Sequence, residues 1–200
     1  MIFLVAVALF TQSLPLHQNE IARPINESDD KQMILFIDTE FSDFINTELL
    51  SIGLVDQLDR TFYAEVPFEF KECSNFVREA VIPQLGKIPG AQCTLEELKV
   101  RLLEWLSAYK DDEDPLAVCF DYSGDWTLFC GVLDNEVPGW IRGVNVNGDI
   151  NHPREELFWR DHPELKRHHA LHDAMALKAS FVLSHAEDRD SLNRNSSRKF

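Results

Sequence analysis

Met33-Ile34-Leu35-Phe36-Ile37-Asp38-Thr39-Glu40-Phe41 is the segment most informative about the fold of this chain. Residues 33–38 are a continuous apolar run that ends in acid, the pattern of a central strand buried on both faces. Asp38 and Glu40 are two apart, so on a strand both side chains leave the same face. Two carboxylates crowded in this way repel each other unless a cation sits between them, and hard cations such as Mg²⁺ or Mn²⁺ suit carboxylate oxygen. Taken alone, the tripeptide reads better as a polar strand end turning into solvent, because such tripeptides are common.

Outward from this strand the order of elements is α/β. Leu49 to Val55 and Arg60 to Pro67 read as two further strands, joined by Asp56-Gln57-Leu58-Asp59 as a hairpin connection. Residues 74–85 fit a helix broken at Pro83. Thr94 and Glu97 form a capping-box signature, and Leu95, Leu98, Leu102, Leu103 and Leu106 recur at helical spacing through Tyr109. Leu116 to Phe120 reads as a buried strand and Gly124 to Leu133 as a helix with Trp126, Phe129 and Val132 inward. Residues 135–153, with Pro, Gly and Asn throughout, read as loop, and Glu155 to Arg160 as a short helical turn. Residues 168–185 close the domain with an amphipathic helix. In such an order the ends of the sheet carry the chemistry.

Two hundred residues with 44% hydrophobic content suit one globular domain. The formal charge is −15, and residues 1–150 carry 10 Lys and Arg against 26 Asp and Glu. So acidic a body argues against non-specific duplex binding, which needs clustered basic residues. It leaves nucleic acid open, because bound divalent cations themselves attract phosphate. Cys73, Cys93, Cys119 and Cys130 show no paired spacing, which favours a reducing, cytoplasmic setting. Residues 1–10 resemble the apolar core of a signal peptide but are too short to span a bilayer, and no basic residue precedes Arg23. The expected organisation is a flexible extension or over-long start at 1–32, a domain at 33–186 and a polar tail at 187–200, with no membrane association. A true signal peptide is the alternative.

Two further clusters match the first in chemistry. Asp125 follows the strand Leu116–Phe120 at the start of a helix, where a carboxylate is also favoured by the dipole; Asp121 competes with it as a metal ligand. Near the C-terminus stands His168-His169-Ala170-Leu171-His172-Asp173. On a continuous helix His168 and Asp173 would point roughly 140° apart, whereas His169 and Asp173 share a face. Helix geometry therefore favours His169, unless His168 lies in the loop before the helix. A zinc site from His168, His169 and His172 is the weaker option, because carboxylate-rich surroundings suit magnesium. Together the clusters suggest a two-metal phosphodiesterase.

In combination, Ile37-Asp38-Thr39-Glu40-Phe41, Asp121-Tyr122-Ser123-Gly124-Asp125 and His168-His169-Ala170-Leu171-His172-Asp173-Ala174 resemble the three motifs of the DEDDh 3′–5′ exonucleases, such as RNase T, oligoribonuclease and the proofreading subunit of bacterial replicative polymerase. The third motif is the most specific and the second the loosest, with Asp121 where many relatives carry Asn. Asp-Thr-Glu-Phe followed by Glu48-Leu49-Leu50-Ser51-Ile52-Gly53 is most similar to a small exoribonuclease-like branch first described in mycobacteria.

The resemblance covers residues 33 to about 185 and implies an RNase H-like fold, a central mixed β-sheet flanked by helices. It implies that Asp38, Glu40, Asp125 and Asp173 hold two Mg²⁺ or Mn²⁺ ions. In register with the motif, His168 is the general base and His169 the fallback. The implied reaction releases nucleoside 5′-monophosphates from a 3′ end of single-stranded RNA or short oligonucleotides, with DNA 3′ ends as the other substrate. Phe41 and Trp126, beside the acidic residues, are expected to stack on terminal bases, against core packing as the bland reading and the favoured one for Trp126. Lys166 and Arg167 are candidates for phosphate contact. A homodimer is expected from the relatives. The competing readings are a catalytically idle nucleic-acid-binding module on the same fold and an RNase H-type endonuclease.

Overall fold

The computed structural model describes residues 33–111 and 114–182. The expected extension at 1–32, the tail at 187–200 and the end of the domain beyond 182 lie outside the described residues. Strands β1 (Ile34–Phe41), β2 (Leu49–Asp56) and β3 (Thr61–Glu65) form an antiparallel meander. On the other side of β1, β4 (Leu116–Phe120) and β5 (Ile141–Asn145) pair in parallel, giving one mixed sheet in the order β3-β2-β1-β4-β5. Among the described residues, four α-helices flank it: α1 (Leu95–Ser107), α2 (Ser123–Val132), α3 (His152–Asp161) and α4 (Ala170–Ser180).

The unbroken apolar run of β1 follows from its central position, with both faces covered. Leu35 and Ile37 pack on one face among Leu98, Leu102 and Leu106 of α1 and Phe129 of α2. Ile34 and Phe36 pack on the other, against Ala174 and Leu177 of α4. Burying each large apolar side chain is worth roughly 1.5–3 kcal/mol, so this two-sided burial fixes the strand's register. It also decides where the acids point. Asp38 and Glu40 continue the α4 face, and Thr39 between them continues the α2 face.

The turn after β2 is built on Asp56. Its fully buried carboxylate accepts from the Leu58 and Arg60 amides at 2.8 Å, from the Arg60 guanidinium, and from the Tyr109 hydroxyl at 3.1 Å. The capping box of α1 is complete, with Thr94 and Glu97 each accepting from the other's backbone amide.

Several expectations need correction. β1 runs three residues beyond Asp38, because pairing with β2 continues to a bulge between Glu40 and Phe41. Residues 74–85 are not an α-helix: a π-helical turn at Val77–Val81 runs into a 3₁₀ turn at Ile82–Gln84 that accommodates Pro83. The expected loop at 135–153 contains β5, an edge strand held by backbone pairing to β4 with only Ile141 and Val144 buried. The short turn near Glu155 is a ten-residue helix, α3, capped by Asn151. The last helix is shorter than 168–185, for α4 starts at Ala170 and ends at Ser180. Among the described residues no helix is long and apolar enough to cross a membrane.

Candidate active site

The site lies where the carboxyl ends of the parallel strands β1 and β4 face the N-terminal ends of α2 and α4. Parallel strand ends are the usual place for a ligand crevice in such sheets. Two groups of side chains converge there. Carboxylate oxygens of Asp38, Asp121 and Asp125 lie within 4.8 Å of one another, as do ligand atoms of Glu40, His168 and Asp173. The carboxylates expected to act together, Asp38, Glu40, Asp125 and Asp173, all fall in this cluster. Asp121 joins them, so the two candidates on the β4–α2 link are neighbours rather than rivals.

Asp125, the least secure of these from sequence, is anchored by a residue that sequence reasoning passed over. Thr39 donates to Asp125 Oδ1 from its hydroxyl at 2.6 Å and from its amide at 3.2 Å. The other oxygen, Oδ2, is buried without a hydrogen-bond partner. Asp173 sits one turn into α4, and its Oδ2 accepts from the amides of His168 at 2.7 Å and His169 at 3.1 Å. That contact needs His168 outside the helix, and its backbone is left-handed, with φ of 63°.

The electrostatics of the cluster favour a cation. Burial, then repulsion from Asp173 and Asp125, pushes the Glu40 carboxyl up to about 8. Asp38 is raised well above its ordinary range by burial and by repulsion from Asp125, Asp173, Glu40 and Asp121. Asp125 and Asp173 are also raised, chiefly by burial. Hydrogen bonds from the protein offset only part of this cost. A carboxylate-rich donor set with an orphaned buried oxygen and mutual repulsion fits a hard divalent cation such as Mg²⁺ or Mn²⁺.

The histidines separate cleanly. The His168 ring is grouped with Glu40 and Asp173 and lines the same cavity, of about 240 Å³, as Asp38, Asp121, Glu155, Arg167 and Asp173. Burial and the neighbouring Arg167 lower its proton affinity. His169 instead is buried and stacks between Tyr63 at 4.6 Å and His172 at 3.9 Å. Burial, then His172, brings it down to about 4. The three histidines do not converge as metal ligands among the described residues.

Of the two expected aromatics, Phe41 joins an exposed cluster with Phe44 and Tyr122, at centroid distances of 5.2 and 6.1 Å. Trp126 is stacked between Phe120 and Phe129 and lies over Gly143, where a Cβ would meet its ring at 2.6 Å. It packs with the core. Arg167 pairs with Glu155 and Glu156 of α3 at 3.5 and 2.9 Å and lies 4.9 Å from the centre of the Trp159 ring. Lys166 is exposed, with its backbone against His172. A larger groove of about 510 Å³, between the end of β3 and the start of α1, contains none of the acidic cluster.

No protein-family model matches the sequence, and no curated protein matches it. Solved structures do. The nuclease domain of 3′hExo, a DEDDh family member, bound to rAMP, is similar over 85% of this chain and 94% of that domain, with a TM-score of 0.54 and 13% identity. A 3′-exonuclease, in a structure of 3′-end specific recognition of histone mRNA stem-loop, matches 72% of this chain and 60% of its own, with a TM-score of 0.53 and 12% identity. At such identities the likeness establishes the fold: the mixed sheet and flanking helices are those of the RNase H-like DEDDh nuclease domains.

Proposed function

We propose that this chain is a metal-dependent 3′–5′ exonuclease of the DEDDh type, hydrolysing phosphodiester bonds from a 3′ end to release nucleoside 5′-monophosphates. The observation that carries the reading is the convergence of Asp38, Glu40, Asp125 and Asp173 with the His168 ring on a nuclease-domain fold. Bound by these carboxylates, with Asp121 as an added ligand, Mg²⁺ or Mn²⁺ would supply Lewis-acid activation of water and stabilise the leaving oxygen.

The chain's own groups supply the rest. His168, whose proton affinity is lowered by partial desolvation and by Arg167, takes the proton of the attacking water at neutral pH. Thr39 orients Asp125, and the His168 and His169 amides orient Asp173. Phe41, with Phe44 and Tyr122, presents aromatic faces on which unpaired bases stack without regard to sequence. Trp126 contributes packing rather than contact with bases.

The substrate in this reading is single-stranded RNA or a short oligonucleotide, with DNA 3′ ends as the second class. The acidic body disfavours long tracts of phosphate contact, and the similar nuclease domains are bound to rAMP or concerned with an mRNA stem-loop. Placement in the small exoribonuclease-like branch, a homodimeric state and a cytoplasmic setting complete the proposal; four free thiols are in keeping with the last. Purified protein incubated with 3′- and 5′-labelled RNA and DNA, in Mn²⁺ or EDTA, tests it. Metal-dependent stepwise loss from the 3′ end is the expected result. Internal cuts would mean an endonuclease, and binding without cleavage an idle module.

A further inference from the structure

His168 is held from a part of the chain remote in sequence. A left-handed backbone is unfavourable for a residue with a β-carbon, and it persists only where the surroundings over-determine it. At His168 the amide is tied to Asp173. The carbonyl accepts from Gln84 Nε2 at 2.8 Å, and the same nitrogen donates to Arg167 O at 2.7 Å and Ala80 O at 2.9 Å. All three partners are carbonyl oxygens, which only accept. The Gln84 amide must therefore present its NH₂ to them, sharing two hydrogens among three acceptors.

The ring is braced as well. Phe76 meets the imidazole edge-on, with centroids 4.8 Å apart and planes at 85°. Phe76 is 56% exposed, so packing on His168 and not core burial is what its position provides. Phe76 and Gln84 bracket the π-helical and 3₁₀ turns at Val77–Gln84, and Val77 and Val81 anchor that segment on Leu50 of β2.

We infer that Gln84 is a positioning residue for His168: its amide locks the left-handed turn that aims the imidazole at Glu40 and Asp173, while Phe76 steadies the ring. The inference rests on the proposed nuclease reaction for its kinetic readout, and a second readout is independent of activity. Gln84→Met keeps the shape and removes the donor; Gln84→Glu sets a carboxylate against three carbonyls. Both should lower kcat on a 3′-labelled oligoribonucleotide by about 10- to 100-fold, as misplacement of a reacting group does, with KM unchanged. In a His168→Ala background the same substitutions should add nothing. In metal-free protein, amide exchange at His168 should be about tenfold faster in Gln84→Met, as for the loss of one hydrogen bond, with exchange at Leu35 unchanged. Unchanged exchange at His168 overturns the inference, whatever the activity. Equal losses of activity in the two backgrounds overturn it too. A wild-type protein that cleaves nothing refutes the nuclease reading and leaves the exchange experiment to decide this one.

Discussion

Thr39 and Asp125 are joined twice through one carboxylate oxygen, by a hydroxyl at 2.6 Å and an amide at 3.2 Å. The contact ties the central strand to α2 and leaves Asp125 Oδ2 as the oxygen without a partner. The acidic tripeptide thus acts on both faces of the sheet: Asp38 and Glu40 toward α4, Thr39 toward α2. Thr39→Val preserves shape and removes the hydroxyl donor. Loss of such a supporting hydrogen bond typically costs a metal site about 10- to 100-fold in affinity or activity. Mn²⁺ titration by calorimetry should show that loss, and Thr39→Ser should recover most of it.

Gly53 sets how closely α4 approaches the sheet. It pairs with Asp38 across β1–β2, and a Cβ there would lie 2.3 Å from Leu171 N and 2.4 Å from Ala170 C, both backbone atoms. Gly53→Ala must push the start of α4, with His168 and Asp173, away from Asp38 and Glu40. Overpacking of this kind costs about 1–3 kcal/mol, and nuclease activity should fall further than stability explains. Gly131→Ala is the control, since a Cβ there meets nothing within 4 Å. Urea unfolding together with the cleavage assay would compare the two.

Metal-free protein should lose stability as pH rises. The folded Glu40 carboxyl is raised to about 8 by burial and by Asp173 and Asp125, while the unfolded chain titrates near its ordinary value of about 4.3. The folded state therefore binds the extra proton. Its stabilising effect is complete below the unfolded value and disappears as pH climbs through about 8. Glu40→Gln removes the penalty, so in EDTA at pH 8.5 it should melt about 3 °C or more above wild type, and its nuclease activity should be lost. Mn²⁺ should raise the wild-type melting temperature more at pH 8.5 than at pH 6.

Asp56 predicts the opposite dependence. Burial alone would raise its carboxyl, but the hydrogen bonds from Arg60, Leu58 and Tyr109 outweigh burial and hold it below the usual range. Its contribution is present above the unfolded value of about 3.9 and is lost as pH falls through the lower folded value. Asp56→Asn should cost about 1.5–3 kcal/mol at pH 7, the scale of hydrogen bonds to a charged group, with a smaller difference at pH 3. The exposed side of the Arg60 pair adds little. Guanidinium unfolding at the two pH values measures this, and specific activity should not change.

How much of this was legible in the sequence depended on whether a signal was periodic or spatial. The run from Ile34 to Ile37 announced a buried strand, and the leucines of α1 announced a helix, because two-sided or one-sided burial imposes a pattern. Asp38, Glu40 and Asp173 were ambiguous one by one and stood out only through the resemblance of three separate motifs to a known set. β5 was not, since an edge strand bound through its backbone needs few apolar side chains. Thr39, Gly53 and Gln84 act through contacts between distant segments, which leave no local mark. Helical periodicity favoured His169 over His168; the left-handed residue before α4 reverses that geometry.

Whether these carboxylates and His168 form a working 3′–5′ exonuclease site is decided by following a 5′-labelled oligoribonucleotide in Mn²⁺ with wild type, Asp38→Ala and His168→Ala. Wild type should give a ladder shortening one nucleotide at a time from the 3′ end, strongly slowed with His168→Ala and abolished with Asp38→Ala or EDTA. Folded wild-type protein that leaves the RNA intact in Mn²⁺, or an Asp38→Ala variant with full metal-dependent activity, would contradict it.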